Sequence, residues 1–461
     1  MTSTMHRRWL GVAAAAMMVV SACGSSTAPT QAASASTAAS AAGDVTVNVA
    51  IVSNPDMERL KGYAPEFEKT HPGIKLNFVT LDETTLRDQL TKNVGTSSGA
   101  YDVVMIGVLE IPNCAKNKWI DSIQSEATAD TNWDIGDLIP AVKDNLSVDG
   151  QLYAAPFYAE STIIYYRKDL FAKAGLTMPA EPTWDDIAGF AQKLNDPANK
   201  VAGICLRGQK GWGGVFSGYT TMLHAYGGTI FDANYNATLN TPAAKAATTA
   251  YVNMAKNYGE PNASSASYPE CLNAMSQGNA AMWYDATVAA SALEDPKQAK
   301  PEVAANMGFA PAPKEVDNYG GWLWSWAFAR LATSPKKDAD WQFMSWATSK
   351  DYQNLIATND GAGLIPPGTR TSLYQRADYR AAAKDYADLT LKAINTVPAS
   401  IPGGAPLERS FYVAVPEWAA TADVASGYLS EAIAGSISVD DALAKMQAVF
   451  AQMATDGGYK Q

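Results

Sequence analysis

The sequence has little of what usually advertises a chemistry. Of 461 residues only 3 are histidine and 4 cysteine. Cys114, Cys205 and Cys271 are too widely separated for a common zinc signature, and His224, beside LHAY, has no partner at ligand spacing and reads as packing. No metal or other cofactor is therefore expected. Basic residues are outnumbered, 35 against 46 acidic, giving a formal charge of −11 with no Lys/Arg block beyond a small amino-terminal one; that balance argues against nucleic acid as a partner. There is no GxxxxGK[ST] phosphate loop to cradle a nucleotide, no apolar run of the ~20 residues needed to cross a membrane, and no short repeated unit. What remains is 47% hydrophobic, enough to supply the cores of roughly two or three ordinary domains.

The amino terminus, MTSTMHRRWLGVAAAAMMVVSACGSS, has a basic start, an apolar run to Val20 and small residues before Cys23. This is the pattern of an export signal over residues 1–22. VSAC is similar to a bacterial lipobox, which implies cleavage before Cys23 and attachment of lipid to its sulfur. Residues 24–43, GSSTAPTQAASASTAASAAG, contain no charged or aromatic side chain; such a stretch buries nothing and serves as a flexible tether, so 23–43 reads as a lipid-anchored linker.

From residue 44 the pattern alternates. DVTVNVAIV and IKLNFVTL (74–81) are β-rich, YDVVMIG (101–107) is a short apolar strand, and helical stripes lie between them, one carrying Met57, Leu60, Tyr63, Ala64 and Phe67 and another covering Glu83 to Lys92. Asp149-Gly150 offers a turn, followed by QLYAAPF and STIIYYR as extended segments. TWDDIAGFAQKLND reads as a helix capped by Thr183 with Asp186 in the capping-box position. AAKAATTAYVNMAKNYG supplies another helix, NMGFAPAP and NYGGWLWSWAFARLAT return to strands, and LSEAIAGSISVDDALAKMQAVFAQMAT is helical with a break at GSIS. This order predicts an α/β protein of two lobes crossed more than once, with ligand-facing residues in loops beyond strand ends.

The motifs NPDM (54–57), LRDQL (86–90), YDVVMIGVLE (101–110), PFYAESTIIYYRKDLF (156–171), ICLRG with GWG (204–213), AMWYDATVAAS (281–291) and YGGWLWSWAFA (319–329) occur in an order that resembles the extracytoplasmic solute-binding proteins of carbohydrate ABC importers, family 1. The resemblance is greatest to the branch associated with sorbitol, mannitol and related polyols, and spans nearly the whole exported domain. It implies a type II, maltose-binding-protein-like fold with a multi-crossing hinge, an N-lobe of 44–153 plus 307–366 and a C-lobe of 154–306 plus 367–461. It also implies capture of a small polyol such as sorbitol, mannitol, arabitol or xylitol between the lobes, delivery to membrane permease subunits, and action as a monomer without catalysis. The sequence departs from the family at Asn113–Cys114, where an apolar or aromatic pair is usual, and at Ala280, where a cysteine is common. Because both fall in one lobe of an exported protein, Cys205 and Cys271 are the preferred disulfide pair, leaving Cys114 buried or reactive; three buried thiols is the alternative.

A polyol carries a hydroxyl on nearly every carbon, so its pocket should combine carboxylate acceptors, Arg or Asn donors and aromatic faces over C–H surfaces. Arg207, beside Gly208, offers a fork of donors to vicinal hydroxyls, with an interlobe ion pair as the structural alternative. Trp212 in KGWGG is exposed by its glycines. Asp285 would accept hydroxyls or cap the following helix; Glu160 and Glu110 follow the same logic near strand ends. Asn54 and Arg409 complete the set, each also explicable as a turn or surface contact. In a strand Trp322, Trp324 and Trp326 share a side, and Trp322 and Trp324, nearer the Gly320–Gly321 end, are expected to touch solute while Trp326 packs. Two other functions use the same residues: binding of a cyclic mono- or oligosaccharide, and glycoside hydrolysis with Glu110, Glu160 and Asp285 supplying an acid and a nucleophile or base.

Overall fold

The computed structural model describes residues 44–96, 99–316 and 321–460; the export signal, Cys23, the linker and Gly320 lie outside the described residues. Three β-branched runs form the first strands, β1 (Val45–Val52), β2 (Ile74–Leu81) and β3 (Val103–Gly107). β1 pairs in parallel with both of the others, and Val47, Val49, Ala50 and Ile51 are fully buried, as expected of a parallel strand covered on both faces. The stripe carrying Met57 and Phe67 is two helices, Pro55–Gly62 and Ala64–Thr70. Glu83–Thr96 forms the crossover between β2 and β3.

Asp149 and Gly150 both take positive φ, 51° and 74°, making the tight turn between β4 (Ser147–Val148) and β5 (Gln151–Leu152); left-handed turns of this kind suit a two-residue hairpin. β6 (Ala155–Glu160) and β7 (Thr162–Arg167) follow, separated by Ser161 alone. The remaining strands are β8 (Met282–Ala286), β9 (Met307–Pro311) and β10 (Trp324–Arg330). Five strands form one sheet in the order β2-β1-β3-β10-β6, and three form another, β8-β7-β9.

The chain changes sheet within one residue at Ser161 and again between Pro311 and Trp324. β6 therefore belongs to the first sheet and β9 to the second, whereas the lobe ranges expected from the sequence divide the chain near 154 and 307. The reason is that PFYAESTIIYYR is an almost unbroken extended run, and nothing in its pattern marks which residue changes partner. The helices Trp418–Ala434 and Val439–Asp456, late in the chain, pack on Val215–Ala225 and Pro242–Tyr258. Their break falls at GSIS: Gly435 takes the left-handed C-cap conformation at φ 78° and Ser438 caps the next helix through Asp441 N–H. The Thr183–Asp186 capping box is present in both directions. Cys205 and Cys271 are joined by a disulfide and Cys114 is a buried free thiol. No helix among the described residues is long and apolar enough to cross a membrane.

Candidate functional site

The site grows from the edge where the first sheet meets the second lobe. Trp324 lies opposite Glu160 and Trp326 opposite Tyr158 across the antiparallel β10–β6 pair, so these four side chains share one face of the sheet. Phe157 and Phe328 meet each other and pack in the core against Tyr352 and Phe343. Gly107 on β3 makes room for the indoles: a Cβ there would stand 1.8 Å from Trp324 Cζ2. β10 begins only at Trp324, so Trp322 precedes the strand. It reaches across to Tyr284 of the second lobe and to Phe411, at centroid separations of 6.4 and 5.7 Å.

Arg207 and Asp285 are the polar centre on the second lobe. Arg207 Nε and Nη2 donate to the two carboxylate oxygens of Asp285 at 2.8 and 2.6 Å, and Nη1 donates to the Gly213 carbonyl at 2.8 Å. Asp285 also accepts from Trp283 Nε1 and Ala286 N–H. Burial works against charge on Arg207, but the Asp285 carboxylate outweighs it and raises the guanidinium above its ordinary range. The rings of Tyr268 and Trp322 lie 5.5 and 5.7 Å from that guanidinium. Asp285 is thus fixed within β8 and caps no helix, while the Cys205–Cys271 bridge anchors the segment two residues before Arg207.

Arg87 is the counterpart on the first lobe. Its Nε donates to Glu110 at 2.8 Å and its Nη1 to Glu83 at 2.5 Å. Its guanidinium lies 4.1 Å from the Trp212 ring centre and 5.6 and 5.3 Å from those of Trp324 and Trp326. Cation–π contacts of this kind strengthen when desolvated, and here they join residues of the two lobes. The loop bearing Trp212 is held from behind by Trp212 N–H to Asp423 and Gly211 N–H to Ser426. Gly213 permits the close approach, since a Cβ would stand 2.4 Å from Glu83 Oε1.

Several buried polar atoms in this cleft lack a hydrogen-bond partner among the described residues: Arg87 Nη2, Glu110 Oε2 and Trp322 Nε1. The Glu160 carboxylate, on a residue 6% exposed, makes no hydrogen bond or ion pair with a described residue either, although its oxygens are not among the fully buried ones. Burial pushes its pKa well above the usual range; Arg207 pulls it down, while Asp285, Glu83 and Asp56 push it further up. Native proteins rarely bury polar atoms without partners, so the array is suited to a molecule rich in hydroxyls and bounded by indole faces.

The structure therefore gathers Glu110, Glu160, Arg207, Trp212, Asp285, Trp322 and Trp324. Asn54 stands at the margin: its Oδ1 caps the helix Pro55–Gly62 through Met57 N–H and its Nδ2 donates to Tyr158 Oη at 2.9 Å. Arg409 is spent on its own loop, donating to the carbonyls of Pro406 and Glu408. His224 is buried between Glu408 and the Ser410 carbonyl. Trp326, expected only to pack, is near Arg87 as well as Trp324. Sequence reasoning missed Arg87, Tyr268 and Phe411. Glu83 and Arg87 are four apart on one helix, the spacing of an ordinary surface ion pair, and Phe411 lies in a loop without periodicity. As for metals, Cys205, Cys271 and Glu260 bring ligand atoms within 4.8 Å of one another, but the two sulfurs are consumed in the disulfide.

The model of the family described as bacterial extracellular solute-binding protein matches residues 52–354. The mannitol-binding protein of Pseudomonas aeruginosa is 41% identical over 422 residues, covering 91% of this chain and 95% of that protein. An ABC-transporter solute-binding protein from Agrobacterium vitis with bound D-mannitol superposes with a TM-score of 0.88 at 43% identity, covering 90% of this chain and all of that one. A second, from Agrobacterium radiobacter in complex with ribitol, gives a TM-score of 0.79 at 25% identity over 89% and 99% of the two chains. With two lobes meeting over a cleft of directed polar groups and indoles, and with these matches along its length, the chain belongs to the bacterial extracellular solute-binding protein family.

Proposed function

We propose that this protein captures an acyclic polyol of the mannitol class between its lobes and delivers it to the permease of an ABC importer. The observation that carries the reading is the bidentate Arg207–Asp285 pair facing Glu160 and the Arg87–Trp212 contact, a polar array with unpartnered donors and acceptors beneath three indoles. A linear chain of hydroxyls can satisfy such an array atom by atom, and a ligand missing one hydroxyl leaves a buried group unpaired at a cost of about 1–3 kcal/mol. The mannitol and ribitol complexes of similar proteins support the acyclic class over a cyclic sugar. The protein performs no chemistry on its ligand in this reading: Glu110 and Asp285 are each bound to a guanidinium, an arrangement suited to holding hydroxyls and poorly suited to proton transfer.

The protein acts as a monomer held to the outer face of the cytoplasmic membrane by lipid on Cys23, with 24–43 as tether. Its N-lobe runs from 44 to 160, returns with β10, and continues to about 366; the C-lobe takes 162–311 and the carboxy-terminal helices. Asn54 and Arg409 serve as a cap and a loop brace at the margin of the site. Titration calorimetry and small-angle scattering with mannitol, sorbitol, arabitol and xylitol, using glucose, xylose and maltose as controls, test the reading. A tight polyol with a ligand-dependent decrease in radius of gyration is expected; tight binding confined to a cyclic sugar rejects the polyol class, and no response to any of the seven rejects the function.

A further inference from the structure

Among the described residues, four carboxylates of the site have a guanidinium partner and a fifth does not. Asp56 is held by Arg59 at 2.6 Å, Glu83 and Glu110 share Arg87, and Asp285 is chelated by Arg207. Glu160 is buried beside them, on the cleft face of β6 opposite Trp324, with no hydrogen bond or ion pair to a described residue. Arg207 is the cation that influences it most, yet all three of its nitrogens are engaged by Asp285 and the Gly213 carbonyl. Five carboxylates thus face three guanidiniums.

A carboxylate on a largely buried side chain, with no protein partner for its oxygens, is costly, and the cost falls when a group supplies both a hydrogen bond and a positive charge. A hydroxyl supplies only the first. From this geometry we infer that Glu160 is an ammonium site, and that the cleft accepts cationic polyhydroxy amines, the monoamino alditols, as well as neutral polyols, while rejecting polyhydroxy acids. The inference rests on the polyol reading and extends it to charge. The upward pressure on the Glu160 carboxyl from burial and from Asp285 is consistent with a group short of a countercharge. An aldonate would bring a further negative charge into the same space, where like charges repel strongly because little water screens them.

D-Mannitol is carried onto itself by a twofold rotation, so replacing a hydroxyl by an ammonium at carbon 1, 2 or 3 samples every position of the chain. Calorimetry at neutral pH on the full-length protein compares D-mannitol, these three amines and D-mannonate. The best amine should bind more tightly than mannitol, by about tenfold, and mannonate should bind about a hundredfold more weakly. In Glu160→Gln, with folding checked by circular dichroism, the amine should lose its advantage. If all three amines bind wild-type protein more weakly than mannitol, the inference is overturned without recourse to any variant; an advantage that survives in a folded Glu160→Gln protein overturns the assignment to Glu160. Failure of mannitol itself to bind strikes instead at the polyol reading.

Discussion

Arg207 and Asp285 neutralise each other in a place that water barely reaches, and that makes each of them dependent on the other. Breaking such a pair from one side leaves an uncompensated buried charge, at about 3–5 kcal/mol. Asp285→Asn should therefore lower the urea midpoint by an amount corresponding to that range and abolish tight ligand binding in calorimetry; a variant with unchanged stability would mean that the pair is not closed off from water. Glu260 offers a test of opposite character. Both of its oxygens are buried without a hydrogen-bond partner among the described residues, and burial raises its carboxyl from 4.5 to about 7. The unfolded chain ionises first, so between about pH 4.5 and pH 7 the unfolded state gains an advantage and stability falls as pH rises, levelling off above the folded pKa. Glu260→Gln removes that loss, so its stability relative to wild type should climb across this window in chemical denaturation at pH 4.5, 6 and 8. Arg207 and Asp285 were visible in the sequence because glycine or a strand end stands next to them. Arg87 was not, since its importance comes from Trp212, 125 residues away in sequence and on the other lobe.

Strands and loops decide which of the three indoles face the cleft. Alternation along GGWLWSWAFA gives a shared side for Trp322, Trp324 and Trp326, but the strand begins at Trp324 and its pairing shifts between Trp326 and Ala327, and an irregularity of that kind leaves no trace in alternation. The strand carrying Trp324 and Trp326 was legible; the path of Trp322 across to the second lobe was not. Gly107 is the element-level requirement that makes the indole layer possible. Gly107→Ala would drive a methyl into the Trp324 ring, and overpacking of this sort costs about 1–3 kcal/mol. The variant should still fold, and its affinity for mannitol should fall more than that of a Gly→Ala change at Gly189, where nothing stands within 4 Å. Equal losses at the two sites would remove Trp324 from the binding surface. Where local chemistry alone sets an element, as at the Thr183 capping box or the GSIS break, the sequence pattern and the structure coincide.

For the molecule as a whole, the alternation of strand and helix was enough to indicate two lobes, because layering follows from how strands and helices bury their apolar faces. The residue at which the chain changes sheet was not, because Ser161 sits inside one continuous extended run and only the partner differs on either side. The Cys205–Cys271 bridge closes a span of 66 residues within the second lobe. On the chain-entropy account a loop of that length contributes about 4 kcal/mol, so the double replacement Cys205→Ser and Cys271→Ser should unfold at correspondingly lower denaturant, and wild type treated with a thiol reductant should match it.

That same bridge lies two residues before Arg207 and three after Tyr268, the side chains that flank the Asp285 carboxylate. One covalent bond therefore sets the spacing between a donor fork and the ring beside it. Such bonds form in oxidising compartments and are kept open in the cytosol. On an exported chain the bridge closes only outside the cytosol, so the spacing of fork and ring is fastened on the side of the membrane where the solute is met.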